Sequence, residues 1–168
     1  MKLIFGEYLP DRPALDNPGL IQAKNVIPYM QSYRQFPSSV VFSDAIGAQA
    51  IGYANHRDSA NTVFSYCGDT TALYRLADSA WIEASGAIYT TAANGRWEFA
   101  KWGNQVVATN FNDAVQIITM GTSDFASLAG LPPNAYYAAV IKDFLVLANI
   151  TDFPHGVHWS GFDNITTW

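Results

Sequence analysis

The chain has 168 residues, the size of one ordinary domain, and its residues are 49% hydrophobic, 14% aromatic and only 14% charged. This composition excludes a disordered chain, a coiled coil and a basic nucleic-acid-binding arm. The formal net charge of −5 also argues against tight binding to phosphate backbones, which requires Lys and Arg to release counterions.

The expected secondary structure is all-β. Glu and Lys, which long surface helices normally use, are scarce, whereas β-branched and aromatic residues are frequent. No apolar run approaches the length of a membrane span, and Gly6 and Glu7 interrupt the first apolar residues before a signal-peptide core can form. The sequence therefore predicts neither a membrane span nor a secretory signal.

The N-terminal segment is rich in proline. Residues 1–40 contain five of the eight prolines, which remove backbone donors and prevent a long helix. This density predicts an extended Pro-rich N-terminal arm over residues 1–45, with short strands at 23–27 and 40–43. Such an arm either crosses its own domain or contacts a neighbouring subunit, and both alternatives are open at this point.

Several charged residues lie in this arm. Glu7, Asp11 and Asp16 surround Arg12, and Arg34 follows between the two predicted strands. A paired-carboxylate glycosidase would need its acids on a rigid scaffold at a fixed separation, which an arm does not provide. We therefore interpret these five residues as candidate inter-subunit arm contacts.

The remaining residues, 46–168, show a repeat. Three segments share the order apolar strand, polar turn, second strand, which is typical of a β-hairpin. The predicted strand pairs are 63–68 with 72–74, 106–110 with 114–116, and 144–149 with 157–159. Further strands are predicted at 81–84, 97–100, 125–128 and 136–141.

The spacing of these hairpins predicts β-propeller-like blades. Equivalent apolar positions recur at intervals of about 40 residues, the length of one four-stranded blade, although a generic β-meander is also compatible. Because a propeller closes with about four blades or more, three units indicate a partial or split propeller. The open edges would then be completed by more chain or by other subunits.

Candidate metal and catalytic residues are few. Asp152, His155 and His158 could supply metal ligands, but Pro154 and Gly156 make their segment a turn. Residues 110–113 resemble part of a calcium loop without its glycine and final Glu, and neither a nucleophile elbow nor a phosphate-binding glycine loop is present. We expect no metal, no cofactor and no enzymatic activity.

The single cysteine and the five tryptophans are expected to be structural. Cys67 cannot form an internal disulfide or a four-cysteine zinc site, and is predicted to be a buried small hydrophobe. The positions of Trp81, Trp97 and Trp159 within the repeats favour packing between sheets over sugar stacking.

Scattered segments over most of the chain resemble a family of tailed-phage structural proteins, the tail nozzle (tubular tail protein B) of short-tailed phages. The segments are GEYLPD (6–11), NPGL (17–20), AKNVIP (23–28), YRQFPS (33–38), LYRL (73–76), WEFAKWGN (97–104), VATN (107–110) and VHWSG (157–161). Family members are generally much longer than this chain. The resemblance supplies no catalytic motif.

The resemblance implies a virion structural protein of the phage tail that bears a β-propeller and is made in the host cytoplasm. Its copies would form a ring below the portal and adaptor, in contact with other tail proteins, and channel DNA during ejection without binding it specifically. An acidic wall suits such a channel, because like charge keeps the duplex from adhering. The alternative function is a host-surface glycan-binding β module of the tail, and a glycan-cleaving enzyme is a weaker third hypothesis.

Overall fold

The computed structural model describes residues 6–30, 32–122 and 124–168. In this part of the chain the protein is all-β, with thirteen strands and one turn of 3-10 helix at Ala14–Asp16. The all-β class predicted from composition is therefore confirmed. The chain divides into two compact units, one ending at Val41 and the other running from Phe42 to Trp168.

The first unit contains one antiparallel hairpin, formed by β1 (Val26–Tyr29) and β2 (Ser32–Gln35). Before the hairpin, a loop is closed by Asn17, whose side-chain amide donates to the Leu9 carbonyl oxygen at 2.7 Å and whose oxygen accepts from the Gly19 N–H at 2.8 Å. Asx side chains stabilise turns in this way.

Of the two strands predicted in this region, one is present and one is absent. The first, at 23–27, is present but displaced, as β1 at Val26–Tyr29. The second, at 40–43, is wrong, because these residues form no strand and Val40, Val41 and Phe42 are exposed. A strand requires a hydrogen-bonded neighbour as well as β-branched residues, and no described segment pairs with this one.

The second unit consists of three antiparallel sheets whose strands follow one another in chain order. The first sheet contains β3 (Gly52–Arg57), β4 (Val63–Gly68), β5 (Leu73–Ala77) and β6 (Ala80–Glu83). The second sheet contains β7 (Glu98–Trp102), β8 (Gln105–Thr109), β9 (Gln116–Thr119) and β10 (Ala126–Ser127). The third sheet contains β11 (Ala135–Ile141), β12 (Phe144–Ile150) and β13 (Val157–Trp159).

The three predicted hairpins are confirmed at the level of strand pairing. β4 and β13 have the predicted bounds, and most other strands differ by one to three residues. The sequence predicted no strand before the first hairpin, yet β3 is there and pairs along its whole length with β4. β3 was missed because Gly, Ala and Asn supply half of its six residues and have low strand propensity.

The sheets of the second unit are stacked face to face in series. One buried cluster joins the first and second sheets and includes Tyr66, Leu73, Val106 and Ile118. A second cluster, which includes Val107, Leu145 and Leu147, joins the second and third sheets. The leading strands are neighbours, since β3 contacts β7 and β7 contacts β11. We call the face that a sheet turns toward the next sheet in chain order its forward face, and the opposite face its rear face. In the third sheet, the rear face is the one that packs on the second sheet, and the forward face is the opposite one.

Candidate functional site

The third sheet begins with a tight hairpin. β11 and β12 are joined by the two residues Lys142 and Asp143, and Lys142 adopts a left-handed φ of 53°, as residues in tight hairpin turns often do. From Phe144 to Ala148 every residue of β12 is apolar. A strand apolar at successive positions is typical of one that is covered on both faces.

Only the rear face of this sheet is covered. Leu145 and Leu147 point to the rear and are completely buried against the second sheet. On the forward face Trp159 is 63% exposed and Ile141 is 58% exposed. The forward side chains line one shallow apolar surface, which we call the free face: Ile141, Phe144, Val146, Val157 and Trp159.

Hydrogen bonds at the end of β13 fix the position of Trp159. The next residue, Ser160, is buried; its N–H donates to the Leu145 carbonyl oxygen at 2.9 Å, and its hydroxyl oxygen accepts from the Leu145 N–H at 3.0 Å. Ala84 closes β6 against Leu73 with the same backbone contact. These bonds hold the backbone at the end of β13 against β12, where Trp159 is paired with Val146.

The free face has a covered counterpart in the second sheet. When the two sheets are aligned on the hairpin turns, Ile141 corresponds to Trp102 and Val146 to Val107. Through the strand pairing, Trp159 corresponds in the same way to Ile117. Trp102, Val107 and Ile117 all pack in the cluster that the third sheet covers. The free face therefore has the position and the composition of a surface that another sheet covers.

The interface between the first two sheets depends on Trp97, a buried residue just before β7. Its indole N–H donates to the Asp69 carbonyl oxygen at 2.8 Å, and its ring packs edge-to-face on Tyr89 with centroids 5.0 Å apart. Gly52 and Gly68 are paired across β3 and β4, and a Cβ on either would collide with Trp97. Sequence analysis singled out Trp97 but missed both glycines and Tyr89, which no repeat pattern identifies.

The polar turns of the first two hairpins are closed by side chains. Asp69 accepts from the Thr71 and Ala72 N–H groups at 2.7 Å each and from the Tyr74 hydroxyl at 2.8 Å. Burial alone raises the pKa of the Asp69 carboxyl, but these hydrogen bonds outweigh burial and hold the pKa below its usual value.

Asn110 takes the place of Asp69 in the second sheet. Its oxygen accepts from the Asn112 N–H at 3.2 Å and the Asp113 N–H at 2.9 Å, and its amide donates to the Asp113 carboxylate at 2.7 Å. Asp113 also accepts from the Thr90 N–H at 2.7 Å. The segment that resembled part of a calcium loop is therefore a turn whose oxygens accept hydrogen bonds from the protein.

The suggested metal ligands Asp152, His155 and His158 are exposed on and after the turn that precedes β13. Within residues 6–30, 32–122 and 124–168, no three His, Cys, Asp or Glu side chains converge in a way that could hold a metal ion. Cys67 is buried, as predicted, and burial, with the nearby Asp69 charge, raises the pKa of its thiol to about 12.

The tryptophan prediction is partly wrong. Trp97 is buried as expected, and Trp81 is half-buried, with its N–H donating to the Ser43 hydroxyl at 3.0 Å. Trp159 was expected to pack between sheets, but its ring is mostly exposed, because the second unit contains no further described sheet after the third one.

The five candidate arm contacts Glu7, Asp11, Arg12, Asp16 and Arg34 are all exposed in the first unit. None of them forms an ion pair with another described residue. The guanidinium of Arg34 lies 4.7 Å from the centre of the Tyr29 ring, a cation–π contact across the hairpin.

No protein-family model matches the chain, and no curated protein sequence matches it either. Among the described residues, no helix is long and apolar enough to cross a membrane.

Proposed function

We propose that the protein is a non-enzymatic structural subunit of a phage tail, of the nozzle or tail-tube kind. Its copies assemble into a ring below the portal and adaptor and channel DNA during ejection. The observation that supports this best is the free face, which has the chemistry of an assembly surface.

The stacking of the sheets favours propeller blades. The second unit has three antiparallel meanders in chain order, stacked face to face with their leading strands adjacent, and this stacking supports the proposal of propeller-like blades. Propellers close with about four blades or more, so three sheets need further chain or further copies to close. Subunits of this kind are suited to building assemblies.

Two features of charge support the same proposal. Acidic residues outnumber basic ones by 14 to 9, so a ring of copies accumulates negative charge that repels a passing duplex. The five candidate contacts in the N-terminal arm are exposed and form no ion pair with another described residue, which leaves them available to a neighbouring subunit.

Location in the virion tests the proposal. Purified phage particles from cells expressing the gene are labelled with gold-conjugated antibody against the chain, and the copy number per particle is measured by quantitative mass spectrometry. We expect several copies per particle, with the gold at the tail. Absence of the chain from particles, or label on the capsid alone, would refute the proposal.

Glycan binding by the tail is the second candidate, and the exposed ring of Trp159 favours it. Sugar sites combine a stacking ring with polar groups that bond the hydroxyls, whereas the other four residues of the free face have only hydrocarbon side chains. Assembly is therefore the better explanation of this surface. Binding to a glycan array that Trp159→Ala abolishes would reverse that order.

A further inference from the structure

The free face of the third sheet is an unpartnered surface whose counterpart in the second sheet is already covered. That counterpart contacts the rear face of the sheet that follows it, through Leu145 and Leu147. The first sheet covers its successor in the same way, with Tyr66 and Leu73 against the rear residues Val106 and Ile118. Both interfaces of the second unit thus join a forward face to a rear face, so the surface complementary to the free face is another rear face.

Only one rear face in the second unit lacks a preceding sheet, and it belongs to the first sheet. Strand pairing places Tyr53 and Val63 on it, 57% and 49% exposed respectively, while Cys67 beneath them is buried. The Tyr53 ring meets Trp81 edge-to-face at 6.2 Å between centroids, so the two rings form an aromatic surface over the central strands. Strand pairing also places the exposed charged residues Arg57 and Glu83 on this rear face, so it combines an aromatic surface with charges on its two edge strands.

We infer that the free face binds the rear face of the first sheet of a second copy, so that two copies close one ring of six sheets. Such a contact is heterologous, and heterologous contacts form closed rings when the rotation per subunit permits. Six sheets lie within the range of about four to eight blades in which propellers close. The inference rests on the self-assembly in the proposed function, but not on the location of the protein in a phage tail.

Pairing of the free face with the free face of another copy would also bury it. That arrangement would leave the rear face of the first sheet unused and would stack two forward faces, a combination found at neither existing interface. The repeat therefore favours the head-to-tail contact, and the two arrangements predict different effects of substitutions on the rear face.

The test compares three variants of the full chain by sedimentation velocity and native mass spectrometry. Trp159→Asp places a charge on the free face, and Val63→Asp places one on the rear face of the first sheet. The matched control is Ile88→Asp, because Ile88 is 89% exposed and belongs to neither face. Val157→Asp is a second free-face variant, and near-UV circular dichroism establishes that each variant remains folded.

We expect the wild-type chain and Ile88→Asp to be dimers, and each face variant alone to associate at least about tenfold more weakly. Mixing Trp159→Asp with Val63→Asp should restore dimers that contain one copy of each. In such a mixed dimer one interface joins the unaltered rear face of the Trp159→Asp chain to the unaltered free face of the Val63→Asp chain. Native mass spectrometry identifies the mixed dimer, because the two variants differ in mass.

Several outcomes would overturn the inference. A dimer that Val63→Asp leaves intact would show that free faces pair with each other. A monomeric wild-type chain, or mixed variants that fail to restore association, would also contradict it. These results are distinguishable from failure of the tail role, because a dimer absent from virions refutes only the tail role and a monomer found in tails refutes only the dimer.

Discussion

Trp97 is the side chain on which the packing of the first two sheets most depends. It is 2% exposed, rests on the paired glycines Gly52 and Gly68, and donates a hydrogen bond to the Asp69 carbonyl oxygen. Glycine at both positions lets the indole approach the backbone of the preceding sheet closely. A single aromatic residue thus fixes both the spacing and the orientation of two sheets.

Replacing this residue should be costly. Trp97→Ala is expected to lower the free energy of unfolding by about 3–5 kcal/mol, the range for truncating a large buried aromatic residue. Urea unfolding followed by circular dichroism measures the change. Phe153→Ala, which removes an aromatic ring that is 70% exposed, is the control and should cost under about 0.5 kcal/mol. Equal losses in the two variants would place Trp97 outside the core.

His56, on the forward face of the first sheet, is expected to make stability depend on pH. Burial, followed by the charge of Lys101, lowers the pKa of His56 from the usual 6.5, and its buried Nε2 has no described hydrogen-bond partner. The unfolded chain therefore binds a proton at a higher pH than the folded chain does. The stability that the neutral form of His56 gives to the folded state is therefore fully present above pH 6.5. It is lost as the pH falls from 6.5 toward the lower pKa that His56 has in the folded chain.

Urea unfolding between pH 7.5 and pH 5.5 measures this effect. The wild-type chain should lose stability as the pH falls through this range, and His56→Gln should lose less, because glutamine does not titrate. Parallel pH profiles for the two proteins would show that His56 does not contribute.

At the scale of the element, the turns of the first two hairpins are closed by Asp69 and Asn110 in equivalent positions. Asp69→Ala removes the acceptor for two backbone N–H groups and a tyrosine hydroxyl, and should cost about 1–3 kcal/mol. Asp69→Asn should cost less, since asparagine closes the corresponding turn of the second sheet. Chemical unfolding of both variants is the measurement, and equal losses would show that the hydrogen bonds of this side chain do not stabilise the turn.

The hairpins could be predicted because an apolar strand, a polar turn and a second strand are local patterns. β3 could not, since its residues have weak strand propensity and its pairing with β4 depends on the neighbouring strand. The strand predicted at 40–43 failed for the converse reason, because favourable residues found no partner among the described segments.

The candidate site was only partly predictable. An unbroken apolar run in β12 indicates that both faces of the third sheet are suited to burial. Which face remains uncovered depends on how the sheets stack, and the local sequence does not specify that. For this reason Trp159 was placed between sheets when it lies on the free face.

At the scale of the whole molecule, both buried clusters consist of residues from position 51 onward. Removing residues 1–41 should therefore leave the melting temperature of the second unit within a few degrees of its original value. If residues 1–45 act as an arm between subunits, the same deletion should weaken assembly strongly.

Thermal melting and sedimentation of the chain lacking residues 1–41 distinguish these effects. The charge-reversed variant Arg12→Glu of the full chain is the milder comparison and should weaken assembly without changing the melting temperature. Equal loss of folding and assembly on deletion would contradict a docking role for the N-terminal segment.

The order of the strands has a consequence for synthesis. Every described strand pairs only with strands adjacent to it along the chain, so each sheet can form as soon as its own residues have left the ribosome. At about 5–20 residues per second, a unit of about 40 residues takes roughly 2–8 seconds to emerge. During that interval the newest sheet exposes its forward face to solvent, until the next sheet has emerged and covers it.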